Sequence, residues 1–114
     1  MHELGLLSGV VEVIAGAADG RRVRRVALDV GTRAGVIEHA LYAAWPLAAG
    51  GTVCEGADLE VVVIPATVWC PACEAEREID EFFALACPEC GAPTADLRRG
   101  REFAIREVDV DSGA

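Results

Sequence analysis

Residues 68–91 read VWCPACEAEREIDEFFALACPECG, and the reading of this stretch decides the fold. It holds two Cys-x-x-Cys pairs, Cys70 with Cys73 and Cys87 with Cys90, separated by 13 residues. Each pair bends readily into a knuckle that aims two sulfurs at one point. Two knuckles supply four thiolates, and zinc takes four such ligands in a tetrahedron at about 2.3 Å. Gly91, directly after the second pair, suits the left-handed turn a knuckle often needs. The large apolar side chains of the segment are Trp69, Ile79, Phe82, Phe83 and Leu85, too few for an independent core. A bound metal would therefore supply most of the folding free energy, on the order of 10 kcal/mol or more.

Other uses of four cysteines compare less well. A redox pair of the thioredoxin type needs one such motif between a strand and a helix, not two facing pairs. Disulfides do not suit a reducing compartment. An iron–sulfur cluster also takes four thiolates and stays open at this point. A closed four-thiolate zinc site has no free coordination position and predicts no hydrolytic chemistry. Cys54, in GGTVCEGA, lies far from the knuckles and reads as a small apolar filler or surface thiol.

Outward from the cysteines, the chain alternates helix and strand patterns. Leu4, Leu7, Val11 and Ile14 form one apolar row, and Leu6, Val10, Val13 and Ala17 form a second. Both rows follow helical spacing and predict a helix with a wide buried face, stopped at Asp19-Gly20. In RRVRRVALDVG, Val26, Leu28 and Val30 alternate with Arg25, Ala27 and Asp29, which predicts a strand with one buried and one wet face. VIEHALYAAWPLAAGG predicts a second helix with Ile37, Leu41 and Trp45 inward, His39 on the wet side, a kink or end at Pro46 and a stop at Gly50-Gly51. LEVVVIP is a second strand and GREFAIREVDV a third. The apolar positions of the third strand change parity between Ile105 and Val108, by a bulge near Arg106-Glu107 or because the strand ends there. The terminal DSGA should be loose.

The expected architecture is α+β: two helices packed on one face of a small three-stranded mixed sheet, with an inserted zinc-ribbon-like four-cysteine domain. The first two strands, joined through a helix, should be parallel and the third antiparallel. The domain division is residues 1–66 plus 98–114 around a zinc-binding insert at 67–97.

Charge narrows the function. The chain has 114 residues and a net charge of −9, with ten basic residues that are all Arg. Such a chain is repelled by phosphate backbones, which disfavours nucleic-acid binding. Between Cys70 and Cys90 the single Arg77 faces six acids: Glu74, Glu76, Glu78, Asp80, Glu81 and Glu89. This makes a zinc-ribbon nucleic-acid module the weaker rival reading; a zinc-stabilised adaptor is another. No apolar run approaches membrane-span length, and Glu3 and Glu12 interrupt any signal-like segment, so a cytoplasmic location without membrane insertion is expected. No nucleophile–base pair or phosphate-cradling loop is evident, so no catalysis is expected.

The chain opens MHELGLL. His2 is an ordinary exposed residue unless the α-amine of Met1 is free beside it. In that case the amine, the His2 amide nitrogen and the imidazole form one chelate of in-plane nitrogen donors, which suits Ni(II) or Cu(II). The fourth position is open to Glu3, to water or to a partner's ligand, and His39 is an auxiliary candidate.

MHELGLL, RVALDVGTRAGV, the two CPxC knuckles and GREFAIREVDV occur in one order across nearly the whole chain. Together they resemble the HypA/HybF family of hydrogenase nickel-incorporation proteins. The resemblance implies a nickel metallochaperone with Ni(II) as transient cargo at Met1, His2 and Glu3, and structural Zn(II) at Cys70, Cys73, Cys87 and Cys90 in a separate lobe. It implies delivery to the large subunit of a nickel–iron hydrogenase, in some members to urease, together with the GTPase of the same maturation pathway. The protein would act as a monomer or homodimer. The chain departs from the family pattern at Ile37 and Glu38, where relatives often show an acidic residue and a proline, and at Pro46.

Overall fold

The structure, a computed structural model, describes residues 2–79 and 85–112. Met1, the acids Asp80 and Glu81, the aromatics Phe82 and Phe83, and the last two residues of DSGA lie outside the described residues.

Helix α1 spans His2–Ala18 and buries Leu7, Val10, Val11, Ile14 and Ala18. These positions follow the three- and four-residue steps of one helix face. The second apolar row is only half covered: Val13 is 64% exposed and Ala17 is exposed as well. The buried stripe is thus narrower than the two rows suggested. Asp19 and Gly20 both take positive φ, 52° and 79°, and turn the chain out of the helix.

Strand β1 spans Val23–Gly31, α2 spans Glu38–Ala49 and β2 spans Asp58–Ile64. Strands β3 (Thr67–Cys70), β4 (Ala75–Glu78) and β5 (Leu97–Arg99) follow, and β6 (Phe103–Val110) closes the order. One sheet has the order β2-β1-β6 and the other β4-β3-β5. Thr32 N–H donates to Ile64 C=O, so β1 and β2 end side by side and run the same way. Asp111 N–H donates to Arg22 C=O, which sets the end of β6 against the start of β1 and makes that pair antiparallel. The mixed sheet expected from the sequence is therefore present.

β1 is the central strand and departs from simple alternation. Ala27, expected on the wet face, is fully buried. A methyl group in a central strand is too short to reach past the longer side chains around it. Next to it Arg25 ties the three strands together, bonding Glu60 on β2 at 2.8 Å, and Glu107 and Asp109 on β6 at 3.1 and 3.2 Å. β6 does not end near Arg106. Ile105, Val108 and Val110 all line one apolar hollow against Val13 and Ala17 of α1, while Glu107 and Asp109 meet Arg25. The side-chain alternation shifts by one within a continuous strand, as an extra residue at Arg106-Glu107 produces.

In α2, Leu41, Trp45, Ala48 and Ala49 are buried, and the Trp45 indole N–H donates to Ala57 C=O at 2.7 Å. Ile37 does not point inward: it is the N-cap residue in extended conformation and is 65% exposed. The helix starts one residue later than its apolar spacing suggested. Pro46 does not end it, because it sits near the end and removes a single N–H; its carbonyl accepts the closing bond from Gly50 N–H at 3.0 Å. No helix among the described residues is long and apolar enough to cross a membrane.

The chain forms two compact units, residues 1–28 with 36–62 and 104–114, and residues 29–35 with 63–103. The second unit has a small core of Ala66, Val68 and Ile79, flanked by Leu85 and Leu97. In the same unit two backbones nearly touch. A Cβ on Gly31 would lie 2.1 Å from the Gly100 carbonyl carbon, and one on Gly100 would lie 2.8 Å from Ala66 Cα. Backbone cannot yield as a flexible side chain does, so Gly31→Ala is expected to cost at least about 3 kcal/mol. Urea unfolding of the variant checks this through the shift of its midpoint.

Candidate metal centres

The first centre is built by β3, β4 and the segment from 85 to 94. Cys70 ends β3, and the chain turns through Pro71 and Ala72 to Cys73. Glu74 then takes a left-handed φ of 52° and lets the chain return as β4. The second knuckle repeats the device with Gly91 at φ 74° after Cys90. Only Gly91 was legible beforehand, since a glutamate carries no signal for positive φ. β3 and β4 pair antiparallel with Cys70 opposite Ala75 and Val68 opposite Arg77. Thr94, buried, donates its hydroxyl to Trp69 C=O at 2.6 Å and fastens the second knuckle to β3.

The four sulfurs all lie within 4.8 Å of one another. Cys70 and Cys90 Sγ are 3.6 Å apart, and Cys73 and Cys87 Sγ are 3.9 Å apart. A tetrahedron with bonds of about 2.3 Å has edges of about 3.8 Å, so both distances match a single central zinc ion. They are far beyond the roughly 2.05 Å of a disulfide. Cys70 and Cys87 are buried, Cys73 is half-buried and Cys90 is exposed. The donor set and its spacing fit a structural zinc.

Backbone amides prepare the sulfurs for a cation. Cys73 N–H lies 3.4 Å from Cys70 Sγ. The Cys90 and Glu89 amides draw the Cys87 thiol down to about 6 against the effect of burial. At Cys90 the Ala92 amide acts in the same downward sense, yet the three neighbouring sulfurs push that thiol up to about 12. Four sulfurs this close cannot all ionise by themselves, and a dication at their centre removes the conflict.

The second candidate centre is the start of α1. His2 is exposed and opens the helix. Glu3 is 9% exposed, and its Oε2 accepts the Ile37 N–H at 3.2 Å. Its own amide, and then the Ile37 amide, hold the carboxyl below the usual range, with burial opposing and the positive chain start assisting. Ile37 offers no side-chain cap to α2. A carboxylate from α1 serves that helix start instead, a favourable place for negative charge. No local pattern around Glu3 signals this second task. The α-amine belongs to Met1, outside the described residues. His39 is exposed on α2, and the four cysteines are the only group of three or more metal-binding side chains gathered among the described residues. Cys54 is fully buried and not one of the four clustered sulfurs, with its thiol pushed up by burial, as a filler should be.

The fold defines the class first. Over 95% of this chain and 96% of the other, it is similar to the solution structure of the Ni metallochaperone HypA from Helicobacter pylori, with a TM-score of 0.66 and 17% identity. A second HypA solution structure gives 0.71 and 18% over 98% of both chains. The class is thus that of small α+β proteins carrying a four-cysteine insert. Sequence narrows it further. The family described as "Hydrogenase/urease nickel incorporation, metallochaperone, hypA" matches residues 1–110, and the chain belongs to this HypA family. The hydrogenase maturation factor HypA of Trichormus variabilis is 35% identical over 97% of this chain and 96% of its own length. That of Streptomyces avermitilis is 38% identical over 99% of this chain and 89% of its own.

Proposed function

We propose that this protein carries Ni(II) at its N-terminus and passes it to the large subunit of a nickel–iron hydrogenase, working with the GTPase of that maturation pathway. Nickel is cargo, held by the Met1 amine, the His2 amide and imidazole, and the Glu3 residue. Zinc at Cys70, Cys73, Cys87 and Cys90 maintains the shape of the insert, 67–97, within the nickel-binding domain of 1–66 and 98–114. The protein is a carrier and not a catalyst, acting in the cytoplasm, and urease is a second possible recipient within the family's description.

The observation that carries the reading is the placement of His2. It is exposed at the very start of α1, while Glu3 behind it is anchored to Ile37. The imidazole therefore stands at a chain end on a fixed base, open to a partner. An exposed chelate exchanges its metal, where a buried cage would trap it. The Glu3 carboxylate is already engaged by amides, which favours its backbone amide, water or a partner's group for the fourth position. Copper(II) binds nitrogen donors more tightly than nickel does, so selectivity comes from partners and metal supply. Protons compete for the amine and imidazole, so acidification should release the cargo.

Changing His2 to Ala in an untagged protein tests this. Losing only a hydrogen-bond partner of a metal ligand already costs about 10- to 100-fold, and losing a ligand itself should cost at least about 100-fold. Calorimetric nickel titration reads the change, and an unaltered affinity would refute the assignment.

A further inference from the structure

Arg77 is the only basic residue between Cys70 and Cys90. It lies on β4 directly opposite Val68, which is fully buried, and two residues from the position opposite Cys70. Directly paired residues of antiparallel strands point to the same face, and side chains two apart share it. Arg77 is therefore on the inner face with Val68 and Cys70, while Glu76 and Glu78 face outward. An arginine on the inner face of a small core needs a reason to be there. Its Nε is buried without a hydrogen-bond partner among the described residues. The sulfurs of Cys73 and then Cys87 stand close enough to this side chain to favour its positive charge against the effect of burial. The neighbouring arginines are committed elsewhere: Arg98 chelates Asp96 and stacks on Trp69, and Arg99 pairs with Glu76.

We propose that Arg77 is a positioning residue of the metal centre, whose guanidinium neutralises part of the charge on the zinc tetrathiolate and so slows loss of the metal. Four thiolates around one dication leave a charge of about −2 in an already acidic segment. Hydrogen bonds from a cation withdraw electron density from sulfur and lower its attraction for protons and electrophiles. Two of the four ligands, Cys73 and Cys87, receive this effect, one from each knuckle. The inference deepens the zinc reading above and rests on it.

The test uses full-length protein loaded with one equivalent of zinc, with release followed by the absorbance of 4-(2-pyridylazo)resorcinol in excess. Arg77→Met keeps an apolar stem without charge, and Arg77→Lys keeps the charge. Hydrogen bonds to charged groups are worth enough to predict release about tenfold faster in Arg77→Met, with Arg77→Lys within about threefold of the unaltered protein. Co(II)-substituted protein supplies a readout that loss of packing alone would not move. The sulfur-to-cobalt charge-transfer band should shift to longer wavelength in Arg77→Met and stay in place in Arg77→Lys. Equal release rates and band positions in Arg77→Met and unaltered protein would overturn the inference, as would Arg77→Lys behaving like Arg77→Met. If Arg77→Met retains no metal, Arg77→Gln takes its place: release several-fold faster supports the role, and an unaltered rate overturns it. Unaltered protein purified without zinc would instead remove the zinc reading, a result distinct from any of these.

Discussion

Removing zinc from the four cysteines, by chelation or by Cys70→Ser, is expected to unfold the 67–97 segment and leave the helical unit folded. The size of the effect follows from the balance of terms. The segment has Val68 and Ile79 buried, with Leu85 and Leu97 partly so. Each fully buried side chain of this kind contributes about 1.5–3 kcal/mol. A four-thiolate zinc site contributes on the order of 10 kcal/mol or more, so the metal outweighs the apolar groups together. The helical unit keeps its own core of Leu7, Leu28, Leu41 and Trp45. In amide NMR spectra, the signals of Val68, Ile79 and Leu97 should collapse to unfolded positions on zinc removal, while those of Leu7 and Leu41 persist. Retained dispersion of the Val68 and Ile79 signals without metal would contradict the structural role given to zinc.

The second large effect lies at the other end of the chain. Adding even two residues before Met1 should abolish tight nickel binding while leaving thermal stability unchanged. The extension converts the α-amine to an amide and separates it from the His2 chelate. The expected loss is at least about 100-fold in affinity, comparable to that of His2→Ala. Stability should not follow, since α1 is anchored by Leu7, Val11 and Ile14 well inside the helix. The same extended protein should fail to restore hydrogenase maturation in cells lacking the gene. Full rescue by it would contradict a nickel role for the free terminus and favour the adaptor reading.

The two ends of the molecule were unequally legible. The cysteine spacing alone placed four sulfurs around one point, because a metal site constrains sequence through ligand count and knuckle geometry. The helices and strands were also legible through their periodicity. Boundaries were less so. Ile37 continued the apolar spacing of α2 but stands at its cap, because a periodic pattern does not say where a helix begins. Val13 and Ala17 continued the pattern of α1 but face a shallow hollow, because periodicity gives a stripe and not the width of what covers it. Ala27 read as wet from alternation alone, while its burial depends on strands that pair from distant parts of the chain.

The charged residues carry the remaining lesson. In the sequence Arg77 is a lone base among six acids, and its place on the inner face beside Val68 depends on a β3–β4 register that spacing does not state. Its alternation with Glu76 and Glu78 was the available signal. Glu3 reads from the sequence as a candidate nickel ligand, and its bond to Ile37 spans 34 residues of sequence. Long-range polar contacts leave no periodic trace.

The nickel reading requires the unblocked amine and the His2 imidazole to form one chelate, distinct from the sulfur site. X-ray absorption at the nickel edge, on untagged protein holding one equivalent each of zinc and nickel, tests it most directly. The expected spectrum shows nickel bound by nitrogen and oxygen, with an imidazole signature and no sulfur, and loses that signature in His2→Ala. A nickel–sulfur shell in the unaltered protein would contradict it.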